Sequence, residues 1–94
     1  MAAYLIANVE VTNPEQYKEY QKLSSHAMQT YGVRVLARGG ESRTLEGTAP
    51  TRTVIMEFDT LEAAEAFHAS PEYVAARQAR DGAAKMTMYV VQGL

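Results

Sequence analysis

Hydrophobic and polar positions along this chain follow two periods, and the switches between them mark its elements. Ala3 to Val11 is rich in β-forming residues and stops at Thr12-Asn13-Pro14, which predicts a first strand. From Pro14 the period lengthens: Tyr17, Tyr20, Leu23, Ser24, Ala27 and Tyr31 recur at three- and four-residue spacing and share one helical face. Asn13 suits the N-cap, Pro14 the first helical position, and Glu15 the positive end of the helix dipole. Gly32 stands where a left-handed stop is wanted, so this helix runs to about Tyr31. Val33 to Arg38 reads as a second strand. Gly39-Gly40 breaks or bulges it, Ser42 to Glu46 continues it, and Gly47 to Thr51 with Pro50 is a turn. Arg52 to Phe58 is the third strand. Asp59-Thr60 caps a second helix from Leu61 to Ala69. Ser70-Pro71 repeats the cap-plus-proline pattern and opens a short third helix, from Pro71 to about Arg80. Asp81-Gly82 turns the chain into a last strand, Lys85 to Gln92.

The order β-α-β-β-α-β, with its second α split at Ser70, is the ferredoxin-like plan. It predicts an α+β fold with helices on one face of a four-stranded antiparallel sheet, in one domain over residues 1–94. Alternation sorts the strand residues by face. Leu5, Ala7, Val9, Val33, Val35, Ala37, Val54, Met56, Phe58, Met86, Met88 and Val90 form a wholly apolar set, which the helices are expected to cover. Tyr4, Ile6, Asn8, Glu10, Arg34, Leu36, Arg38, Thr53, Ile55, Glu57, Thr87, Tyr89 and Val91 form a mixed set. Left in water, the second set exposes an apolar patch uncommon on a monomer. A second copy packing sheet on sheet covers it, so a homodimer is expected.

Composition narrows the function. Apolar residues make up 47% of the 94 and charged residues 21%, with formal net charge -2, an ordinary globular balance. There is no basic stripe for nucleic acid and no apolar run of membrane-spanning length. The N-terminus lacks the pattern of a signal peptide, so a cytoplasmic protein is expected. With no cysteine, disulfides, thiolate catalysis and Cys-ligated metal are ruled out. No phosphate-binding glycine loop or nucleophile elbow occurs.

The remaining candidates are polar groups near the sheet. Glu57 falls on the mixed face of the third strand, where partial burial favours a general base; the competing role is an ion pair with Arg34 or Arg38. Arg38 precedes Gly39-Gly40, where backbone can approach a ligand closely, and can hold a carboxylate or enolate through two hydrogen bonds; its competing role is a surface or inter-subunit salt bridge. His26, off the apolar stripe of the first helix, and His68, ending the second, are possible proton carriers or solvated residues. Tyr17 and Tyr20 belong to an aromatic helical set that is core or cavity wall. Asn8 either orients a ligand or bonds across the dimer. Glu57 and the histidines match no metal-ligand spacing. No cofactor is expected, although a single histidine ligand to haem leaves no motif.

The ordered set Asn13-Pro14-Glu15 with Tyr17 and Tyr20, Tyr31-Gly32, Arg38-Gly39-Gly40, Leu45-Glu46-Gly47, Glu57-Phe58 and Ser70-Pro71-Glu72-Tyr73 with Arg77 or Arg80 resembles the uncharacterised family numbered 1330 among the domains of unknown function. The resemblance covers nearly the whole chain. It implies the dimeric α+β barrel superfamily, which includes small monooxygenases, haem-degrading enzymes, lactone isomerases and stress-response proteins, but no reaction of its own. His68 departs from it, since similar sequences usually carry an aromatic residue there. Two functions are the resulting expectations. One is a dimeric small-molecule-binding protein or cofactor-free acid/base enzyme, with a cavity of a few hundred cubic ångströms into which Glu57 or a histidine opens. The other is a non-catalytic structural or stress-type homodimer, with its polar groups paired.

Overall fold

The computed structural model describes every residue from Met1 to Leu94. The elements run β1 (Ala3–Val11), α1 (Pro14–Thr30), β2 (Arg34–Arg38), β3 (Arg52–Phe58), α2 (Leu61–His68), α3 (Pro71–Ala79) and β4 (Ala84–Gln92). The helix starts reflect local chemistry. Asn13 accepts a hydrogen bond from the Gln16 amide at 3.2 Å, Thr60 from Ala63 at 3.0 Å, and Ser70 from Tyr73 at 3.2 Å. Each such cap contributes about 1 kcal/mol by satisfying an amide that the helix leaves open. Gly32 takes φ +61° and ends α1 as expected. At the other end, Gln16 Nε2 donates to the carbonyls of Ala79, at 3.1 Å, and Asp81, at 2.7 Å. One side chain thus ties the first turn of α1 to carbonyls at the end of α3.

The sheet order is β2-β3-β1-β4, all antiparallel. With three helices on one side, this is the ferredoxin-like α+β plan that the pattern predicts. Central β1 pairs Tyr4 with Glu57 and Ile6 with Ile55 on one flank, and Ile6 with Tyr89 on the other. Its alternation holds: Leu5, Ala7 and Val9 are buried with Val54, Met56, Met28, Tyr17, Tyr20, Phe67 and Tyr73 in one core between sheet and helices. The opposite face leaves Tyr89 49% and Val91 45% exposed. No helix is long and apolar enough to cross a membrane.

Strand β2 departs from expectation. The bulge lies between Val35 and Ala37, at Leu36, and not at Gly39-Gly40. An extra residue in a strand reverses the facing of every later residue in that strand. Ala37 therefore lies opposite Ile55 and Arg38 opposite Val54, which moves Ala37 to the outer face and Arg38 to the helix face. All five residues of β2 are exposed, so the helices do not cover this edge as the apolar set had implied. Beyond Arg38 the chain has no further strand before Arg52, and Ser42–Glu46 is irregular and exposed. Tyr31, assigned by period to the buried stripe of α1, caps that helix and is 47% exposed.

Candidate functional site

The predicted site residues do not converge: His26 stays exposed on α1, and the others separate into four places. Glu57, near the end of β3, stands across from Arg34 on β2, and Arg34 Nη1 donates to Glu57 Oε1 at 2.5 Å. The carboxylate side chain is 21% exposed and the arginine 73%, so the pair sits at a rim and contributes at most about 1 kcal/mol. It borders an open cleft of about 440 Å³ between α2 and the β2–β3 end of the sheet. Phe58, Phe67, Val33, Ala63 and Ala66 give the cleft its apolar lining; Tyr31, Arg34, Glu57 and Asp59 add polar groups. The aromatic walls are packed on one another, with ring centroids 5.5 Å apart for Phe58–Phe67 and 6.0 Å for Tyr31–Phe67. Tyr31 is held in place because its hydroxyl donates to Glu72 at 2.6 Å. That bond pushes the Tyr31 phenol up and holds the Glu72 carboxyl below its usual range, with exposed His26 a lesser contributor.

His68 opens elsewhere, into a shallow cleft of about 290 Å³ between α2 and β4 with Leu5, Ala64, Glu65, Met88 and Tyr89. Burial holds its imidazole below the usual histidine value, and the Arg77 and Arg80 charges add to this. Neither histidine joins Glu57 in the wide cleft. Asn8, on the outer face, accepts a hydrogen bond from Thr53 at 3.4 Å.

Arg38, Tyr17, Tyr20 and Gly39 do come together, at the opposite end of β3 from Glu57. Glu57 lies five positions along β3 from Arg52, roughly 17 Å at ~3.4 Å per residue. Arg38 Nη2 donates to Ser25 on α1 at 2.5 Å, a contact that only the face reversal at Leu36 allows. Beside it lies Arg52, absent from the sequence-based candidates although its even spacing from Val54 and Met56 places it on the helix face. Gly39 takes φ +68°, and a Cβ there would collide with the Arg52 guanidinium, so the glycine lets that group lie against the backbone. Gly40 has open space around it and no positive φ. Burial and neighbouring Tyr20 push the Tyr17 phenol up, while the Arg52 and Arg80 charges pull it down. Tyr20 is pushed further, by burial and by its 2.6 Å hydrogen bond to the Tyr73 hydroxyl.

The family described as "Domain of unknown function (DUF1330)" matches residues 2–94, and the chain belongs to it. Solved structures share its fold. A protein of unknown function from Rhodopseudomonas palustris is 18% identical with TM-score 0.76, over 99% of this chain and 82% of that one. A dimeric ferredoxin-like protein of unknown function from Jannaschia is 8% identical with TM-score 0.75, over 99% and 100%. A cofactor-independent oxygenase from Streptomyces nogalater is 9% identical with TM-score 0.64, over 99% and 93%. No curated protein matches the chain.

Proposed function

We propose that this family member works as a homodimer and binds a small, planar, largely apolar molecule in the cleft bordered by the Arg34–Glu57 pair. The observation that supports this most is the cleft itself. Its volume of about 440 Å³ falls in the size class of small-ligand sites, and it combines aromatic walls packed edge-to-face and tilted on one another with one charged pair. Glu57 is the carboxylate placed to take a proton from an acidic C–H of such a ligand. Arg34, beside it, is placed to stabilise the oxyanion that forms. The dimeric and oxygenase neighbours support this reading by analogy of fold. The exposed Tyr89, Val91 and Leu36 supply apolar surface for a second copy to cover. One observation favours a non-catalytic dimer instead: Glu57 already has Arg34 as a partner.

Titration of the full chain with 2-naphthol, followed by amide NMR, tests the reading. Saturable shifts centred on Gly32, Ala63 and Ala66 are expected, and sedimentation at twice the 10.4 kDa chain mass. Glu57→Gln should keep the dimer and alter binding. Shifts scattered over the surface, or a Glu57→Gln variant that only loses the dimer, would establish the structural role.

A further inference from the structure

We propose a second ligand site, for a small carboxylic acid with an apolar tail, in the seam between α1 and the sheet at the Arg38–Arg52 end. The carboxylate lies on the two guanidinium groups and the tail enters the core behind them.

Charge is the first argument. The chain's three ion pairs are Lys18–Glu15, Arg34–Glu57 and Arg43–Glu41, and neither Arg38 nor Arg52 belongs to one. Two cations on one chamber wall repel each other, and an anion between them removes that cost. Arg52 Nε is buried with no hydrogen-bond partner, an arrangement that costs free energy unless something completes it. Tyr17 and Gln21 line the same chamber and offer further polar contacts for an oxyanion.

The floor is the second argument. Met28, Met56, Met86 and Met88 all line this chamber, which is every methionine of the chain except Met1. The chamber holds only about 20 Å³, room for about one water. Methionine is unbranched and repacks at low cost, so the four of them, beside Val9 and Val54 in the same lining, give the chamber a side that can open for an alkyl chain. A neutral ligand gains nothing from the arginines, and a bare inorganic anion gains nothing from the methionines. Their combination selects an amphiphilic acid.

This site is independent of the 2-naphthol cleft, which lies at the other end of β3 and whose probe has no carboxylate. The test uses the full chain labelled with ¹³C on its methionine methyls, titrated with hexanoate and, separately, with hexan-1-ol. Saturable shifts are expected for the four chamber methionines while Met1 stays still. Hexan-1-ol should bind at least about tenfold more weakly, since it forgoes the charge-assisted hydrogen bonds. Arg52→Gln and Arg38→Gln should each weaken hexanoate by about tenfold while keeping the dispersed methyl spectrum of a folded chain. Equal affinity for the alcohol, shifts confined to Met1, or undiminished binding in both variants overturns the proposal. So does a result in which hexanoate moves no methyl and the variants sediment as monomers, because the arginines then serve the contact between copies.

Discussion

Replacing each glycine of the Gly39-Gly40 pair by alanine in turn separates two residues that look alike in the sequence. At Gly39 the backbone holds φ +68°, in the left-handed region where an L side chain costs about 1–2 kcal/mol. The new Cβ also meets the Arg52 guanidinium, the far end of a flexible side chain, which can swing away at the loss of its seat. At Gly40 φ is not positive and no atom lies within 4 Å of a built Cβ. Both substitutions stiffen the unfolded chain, which by itself favours folding by about 0.4–1 kcal/mol. That contribution is common to both, so the difference between the variants isolates the strain, about 1–2 kcal/mol. For a chain of this size each kcal/mol moves the melting temperature by roughly 4–8 °C. Urea denaturation followed by circular dichroism, at one protomer concentration, reads the difference at unchanged slope. Gly39→Ala should lose stability and Gly40→Ala should hold or gain it. In the Gly39→Ala background, Arg52→Ala should cost less than it does alone. Equal midpoints for the two alanine variants would refute the assignment of the backbone role to Gly39.

Two further outcomes are expected. Tyr73→Phe leaves the buried Tyr20 hydroxyl without its partner and should cost about 1–3 kcal/mol in urea denaturation. Tyr20→Phe/Tyr73→Phe should cost less than the sum of the single variants, and strict additivity would refute the coupling. His68 titrates below its ordinary value of 6.5 in the folded chain because of burial and the Arg77 and Arg80 charges. The unfolded chain then binds more protons between the folded value and about 6.5, so stability rises with pH through that window and falls on acidification. His68→Phe should flatten urea midpoints between pH values of about 7.5 and about 5.5; an unchanged slope would refute the assignment.

Much of the fold is legible in the sequence because its signals are local. Asn13-Pro14, Thr60 and Ser70-Pro71 cap their helices through side chains that reach amides three residues on, so the chain segment alone fixes where those helices begin. Alternation sorts β1 correctly, sending Leu5, Ala7 and Val9 to the core and Tyr4, Ile6 and Asn8 to the other face. The candidate site is legible in part. The pattern sets Glu57 beside Arg34 or Arg38, and Arg34 is its partner. Arg38, Tyr17 and Gly39 are ligand contacts by sequence and do gather, but at the opposite end of β3 from Glu57 and around a chamber that neither histidine lines. The cleft wall Phe58 reads only as one of the apolar set, because an apolar side chain looks the same in sequence whether it faces a neighbour or a void.

By itself the sequence determined the order of elements, their caps and the two-faced character of the sheet, since each depends on neighbours within a few residues. Only the tertiary structure decided where β2 bulges. A one-residue slip costs little locally and is settled by how β2 pairs with β3 across the sheet, so Leu36 and not Gly39-Gly40 takes the bulge. That slip turns Arg38 from the outer face to the helix face, sets it against Ser25 and puts it in the same chamber as Arg52. Pairing across strands is a non-local choice, and the two arginines meet only because of it.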